Sequence, residues 1–208
     1  MSRTLKDLLA QGAEAAAAVS APGRPTLSHG ALRLLIETTL ARLNSLGLGR
    51  NDRVAIVLDN GPEMATCFLA CANGVASAPL NPSYRADEFE FYLSDLNAKA
   101  LIVGRGSASP AVDVAVKLGV PIIDLVSDAA SPAGSFTLEP RRAGAATPAT
   151  NGGYAAPEDV SMVLHTSGTT SRPKIVPLSQ GNLAASASNI ARTLQFSSKD
   201  CGLNIMPL

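Results

Sequence analysis

The sequence carries no surplus of charge of either sign. Lys and Arg number 17, Asp and Glu number 17, and charged residues make up only 16% of the chain. A broad electrostatic grip on nucleic acid or on an anionic membrane needs a basic excess, so neither partner is expected. Cysteine is scarce, with Cys67, Cys71 and Cys201 alone. An odd, sparse set excludes a disulfide framework and fits reduced thiols in a cytoplasmic protein. Histidine is scarcer still, and neither His29 nor His165 adjoins the Cys67/Cys71 pair in sequence. That pair, spaced i, i+4, is read as buried packing rather than as metal ligands, and no metal site is expected from the protein's own residues. Long apolar runs are missing too. No stretch approaches the roughly 20 residues of a spanning helix. Asp7, Gln11 and Glu14 interrupt the Ala-rich N-terminal segment, so no signal-peptide core forms there.

What is present is a chain of 208 residues, 46% of them hydrophobic, long enough to bury a core unaided. Short apolar runs alternate with amphipathic segments. Ser28 caps a helix whose face carries Leu32, Leu35, Ile36, Leu43 and Leu46, ended by Gly47 and Gly49. Arg53–Leu58 reads as a strand buried on both faces, and Pro62 opens a helix to Asn73. Strands at 75–80, 99–103 and 120–126 alternate with helices at 85–96 and 111–118. Such repetition predicts βαβ units: an α/β fold, layered αβα, with a largely parallel sheet. The segmentation expected is a helical lead-in over 1–26, a first α/β subdomain over 27–126, a connector over 127–157 and the start of a second subdomain over 158–208. The connector is rich in Ala, Ser, Gly, Pro and Thr, with one short strand at 135–138; Arg141-Arg142 within it is read as solvated loop. Strands at 159–165 and 175–178 follow, then a helix over 180–194 capped by Ser179, with Leu183, Ala187, Ile190, Ala191 and Leu194 as its apolar face.

Between those last two strands runs His165-Thr166-Ser167-Gly168-Thr169-Thr170-Ser171-Arg172-Pro173-Lys174. Gly168 permits a tight turn that exposes backbone N–H groups, the hydroxyls add donors, and Lys174 brings a mobile positive charge. This chemistry suits phosphate, although hydroxyl-rich loops also satisfy their own backbones. A Walker A loop is excluded, because Lys174 stands six residues after Gly168 and a strand follows instead of a helix.

Thr166–Lys174 resembles the signature phosphate loop of the adenylate-forming (AMP-binding) superfamily, which includes acyl-CoA synthetases. Gly49–Ile56 with Asn60-Gly61-Pro62-Glu63, and Ala78–Tyr84 with Glu88, resemble further segments of that family in the same order. Ser171 and Ile175 stand where the family usually has glycine. The form of the loop, with Val176-Pro177-Leu178 after it, is similar to the oxalyl-CoA synthetase-like branch, which leans towards a small carboxylic acid.

The resemblance implies an ATP-dependent ligase that joins a carboxylic acid to phosphate as an acyl-adenylate, then transfers the acyl group to coenzyme A. Thr166, Ser167, Gly168, Thr169, Thr170 and Ser171 would hold the β- and γ-phosphates, Lys174 would act catalytically on the leaving pyrophosphate, and Mg²⁺ would bridge phosphate oxygens. His165 is expected as a hydrogen-bonded wall residue, His29 as a surface residue, and Tyr84 and Arg85 as structural. The family's adenine motif, ribose-binding Asp and catalytic C-terminal Lys have no counterpart here. The expectation is therefore an N-terminal fragment, inactive alone, that needs the C-terminal portion of the same protein. Two other readings share the loop: a non-catalytic nucleotide- or phosphate-binding module, and a fragment of an amino-acid adenylation domain that loads a carrier protein.

Overall fold

A computed structural model describes residues 3–142, 146–166 and 173–204. The chain opens with α1 (Leu5–Leu9), capped by Thr4, then a small antiparallel pair β1 (Ala17–Val19) and β2 (Leu27–Ser28). The Ala-rich lead-in is thus not a long helix. Its second half is extended, because pairing with β2 satisfies the backbone that a short isolated helix would leave marginal. Then follow α2 (His29–Ser45), β3 (Arg53–Val57), α3 (Pro62–Ala72), β4 (Ala76–Pro79), α4 (Ala86–Asp95), β5 (Ala100–Gly104), α5 (Pro110–Leu118) and β6 (Ile122–Val126). Last come β7 (Thr137–Pro140), β8 (Val160–Thr166), β9 (Lys174–Ser179) and α6 (Gln180–Thr193). Ser28 caps α2 as expected, its Oγ accepting from Ala31 N at 3.2 Å. Gly47 at φ +83° takes the left-handed turn that ends it.

The seven strands from β3 onward form one sheet in the order β7-β6-β5-β3-β4-β8-β9. β6, β5, β3, β4 and β8 run parallel, while β7 and β9 lie antiparallel at the two edges. β8 and β9 thereby extend the same sheet that carries the earlier strands. Pro140 in β7 and Pro177 in β9 sit on these edges, where a missing N–H interrupts no central ladder.

The central strands are buried on both faces. Val54 and Ile56 join Leu32, Ile36 and Leu43 of α2 and Cys67 and Cys71 of α3 in one core. Ala55 and Val57 join Phe89 and Leu93 of α4 and Val114 of α5 in the other. This is the expected αβα layering. Cys67 and Cys71 are fully buried, as packing required. A hydrogen bond with Cys71, together with burial, holds the Cys67 thiol well above its ordinary pKa, which keeps it protonated and unreactive at neutral pH.

Polar ties fix the open end of the hairpin β8–β9. Asn51, at φ +70°, accepts from Val160 N at 2.7 Å and donates to Asp159 at 2.8 Å, pinning the start of β8. Gln180, 1% exposed, holds the same open end of the hairpin from the β9 side. Its Oε1 accepts from Leu5 N at 3.0 Å, and its Nε2 donates to Ala72 O and to Ser161 Oγ. Ser161 Oγ also donates to Ala72 O at 2.8 Å. Elsewhere Arg24 pairs with Glu63 at 2.6 Å and donates to the carbonyls of Asp128, Ser131 and Pro132, clamping the connector to the lead-in.

The apolar face expected of α6 is not buried. Ala187, Ile190 and Leu194 are exposed among the described residues, and the helix instead buries Gln180 and Ala184. The helix is seated by its polar first residue rather than by its apolar stripe. His29 also departs from expectation: it is half-buried, with Nδ1 enclosed near Gly12.

Replacing Gln180 with Ala leaves buried polar groups on three elements without this partner. An unfolding experiment in urea is expected to show a loss of about 1–3 kcal/mol. An unchanged midpoint would contradict the seating assigned to Gln180.

Candidate functional site

β8 is parallel to β4, so its last residue, Thr166, reaches the carboxyl edge of the sheet. That edge is where open α/β sheets present ligand-binding loops. The chain returns as β9, whose first residue is Lys174. Thr166 and Lys174 stand directly opposite one another across the antiparallel ladder, and both are exposed. Facing residues in a ladder project from the same side of the sheet, so the hydroxyl and the ammonium leave the hairpin together. Ser167, Gly168, Thr169, Thr170 and Ser171, the remaining expected phosphate-binding residues, lie outside the described residues. The frame that bounds them is a two-strand stem closed by the Thr166/Lys174 pair.

The next pair down the ladder, His165 and Ile175, projects to the opposite side. Ile175 packs on the core beneath α4. The His165 side chain is only 6% exposed, and its Nε2 meets Asp95 Oδ2 at 3.1 Å. Its ring lies edge-on to Tyr92, with centroids 4.7 Å apart. His165 is thus the wall residue that was expected, and its work is to anchor the end of β8. Asp95 and Tyr92 had no signal in the chain beyond their i, i+3 spacing on α4, which places both on the face that meets β8.

Tyr84 completes this aromatic group, stacked on Tyr92 at 4.8 Å and edge-on to Phe89 at 5.8 Å. Burial, helped by a hydrogen bond with Tyr92, pushes its phenol from an ordinary 10 up to about 12. Arg85 caps α4, with its backbone N–H donating to Glu88 at 2.9 Å. Both residues are structural, in agreement with the sequence reading.

The chemistry at the carboxyl edge fits a polyphosphate. It offers a hydroxyl and a primary ammonium on one face, and the ammonium is a compact charge on a flexible stem. Among the described residues, no three His, Cys, Asp or Glu side chains group closely enough to hold a metal ion.

The profile of the family described as AMP-binding enzyme matches residues 7–208. The chain belongs to the AMP-binding enzyme family. An oxalate–CoA ligase of Arabidopsis thaliana is 39% identical over 199 residues, which cover 92% of this chain and 37% of that protein. An oxalate–CoA ligase of Saccharomyces cerevisiae is 37% identical over 179 residues, covering 76% of this chain and 33% of that one. ATP-bound MatB from Rhodopseudomonas palustris has the same fold, with a TM-score of 0.73 at 23% identity, over 95% of this chain and 39% of that structure. The chain therefore spans about a third of the length of the two oxalate–CoA ligases.

A test of the aromatic wall follows from Tyr84. Its raised pKa means that the folded state holds the proton more tightly than the unfolded chain. The corresponding stability is complete below pH 10 and is lost as pH rises through about 12. In chemical denaturation across that window, Tyr84→Phe is expected to lose less stability per pH unit than the parent chain. Equal slopes would contradict the burial of this phenol.

Proposed function

We propose that this chain is the N-terminal part of an ATP-dependent acid–thiol ligase, an acyl-CoA synthetase, acting on a small carboxylic acid. The observation that carries the reading is the stem of β8 and β9, which sets Thr166 and Lys174 opposite one another at the carboxyl edge of a parallel sheet, with the hydroxyl-rich sequence 167–171 between them. It occurs in a chain 39% identical to an oxalate–CoA ligase. Oxalate is accordingly the first acid to try.

A carboxylate is a weak electrophile because its charge is spread over two oxygens. Attack by one of those oxygens on the α-phosphate of ATP forms an acyl–phosphate bond and releases pyrophosphate. A thiol then attacks the activated carbonyl, forms the thioester and expels AMP. In-line displacement at phosphorus is governed by positioning and charge neutralisation. In this reading Thr166, Ser167, Gly168, Thr169, Thr170 and Ser171 orient the β- and γ-phosphates through hydroxyl and backbone N–H donors. Lys174 offsets the charge that accumulates on the departing pyrophosphate. Coenzyme A is the thiol proposed.

The adenine, ribose and acid contacts are assigned to a C-terminal portion of the same protein. Support comes from the apolar residues Ile190, Leu194 and Phe196, which are 52%, 60% and 59% exposed along α6 and just beyond it. They would pack against that portion. The cytoplasm is the proposed compartment, in keeping with three free cysteines.

The intact ligase is expected to catalyse exchange of pyrophosphate into ATP only when oxalate or another acid substrate is supplied. Lys174→Ala should lower that exchange about 100-fold. The 208-residue chain alone should form no adenylate at steady state. Exchange that needs no acid, or that survives Lys174→Ala undiminished, would contradict the proposal.

A further inference from the structure

A cavity of about 440 Å³ lies away from the Thr166/Lys174 pair. Ala100 and Ile122, the first residues of β5 and β6, stand in its wall. Those strands run parallel to β8, through β3 and β4. The cavity therefore opens at the amino edge of the sheet, opposite the edge that carries Thr166. A ligand there would not meet reacting phosphates.

The lining has a marked chemical asymmetry. Leu46 and Leu48 from the end of α2, with Val120 and Ile122, give apolar walls. Three cations, Lys99, Arg141 and Arg142, also line the cavity, and among the described residues no carboxylate does. Arg141 is held by Asp124, its Nε donating to Oδ1 at 2.9 Å. Lys99 and Arg142 have no ion-pair partner among the described residues. Val116, 59% exposed, extends the apolar surface to the mouth. Apolar walls of this volume with a few convergent polar groups are the usual make-up of a small-molecule site. Two uncompensated cations on such a site favour an anionic end group on an apolar body.

We propose that this cavity binds an amphiphilic monocarboxylate, its tail between α2 and β6 and its carboxylate at Lys99 and Arg142. The site is separate from the loop at Thr166–Lys174 and does not depend on the ligase reading. It lies on the far side of the sheet from Thr166, suited to holding a fatty acid rather than converting it.

Decanoate is the probe, titrated by calorimetry into the 208-residue chain below its micelle concentration. Saturable binding at one site is expected, weakened about ten-fold in the double variant Lys99→Ala, Arg142→Ala, as loss of charge-assisted hydrogen bonds implies. Both positions are exposed, so folding should survive the change. Val116→Asp, which sets a negative charge at the mouth, should weaken binding as well. Lys174→Ala should leave it unchanged, and decyltrimethylammonium should not displace decanoate. Absence of saturable binding would overturn the proposal. So would equal affinity in the double variant, or binding that Lys174→Ala abolishes.

Discussion

The side-chain amide of Gln180 joins four parts of the chain that are far apart in sequence. It receives the backbone of α1, donates to the last carbonyl of α3 and to Ser161 of β8, and itself begins α6. An amide buried to 1% exposure is costly unless its donors and acceptor are all used. Here they are used on groups that define where β8 and β9 lie. The hairpin of β8 and β9 hangs from this knot at one end and from His165–Asp95 at the other. On the proposed function such fixed ends matter, since donors acting on developing charge are effective when their geometry is set in advance.

The two sides of the hairpin divide the labour. On one face, Thr166 and Lys174 leave the ladder together and remain exposed. On the other, His165 and Ile175 are packed against α4 and its aromatic group. The period-two alternation of a strand makes this division automatic once the register is fixed. A slip of one residue would bury the lysine and expose the histidine, so the anchors that hold register also decide which residues can meet a ligand.

Much of this was legible in the sequence. Continuous apolar runs such as Val54–Val57 read as strands covered on both faces, and the starts of two helices follow from the capping residues Ser28 and Ser179. The family was legible in the segment 165–174 and in its resemblance to known relatives. What escaped was long-range and polar. Nothing local marks Arg24 as the clamp of the connector, or Asp95 as the partner of a histidine 70 residues away. The apolar stripe of α6 pointed to burial that the described chain does not supply, because periodicity shows that a face is apolar and not what covers it. The Ala-rich lead-in failed for a related reason: helix propensity is a weak preference, and pairing with β2 overrode it.

On the proposed function, the stem of β8 and β9 presents Thr166 and Lys174 as a grip for polyphosphate. Its most direct test is backbone amide chemical shifts of the chain during titration with inorganic pyrophosphate, which reports weak binding residue by residue. Shifts concentrated in residues 166–174 and abolished by Lys174→Ala are the expected result. Shifts centred instead on Lys99, Arg141 and Arg142, or unchanged by Lys174→Ala, would contradict it.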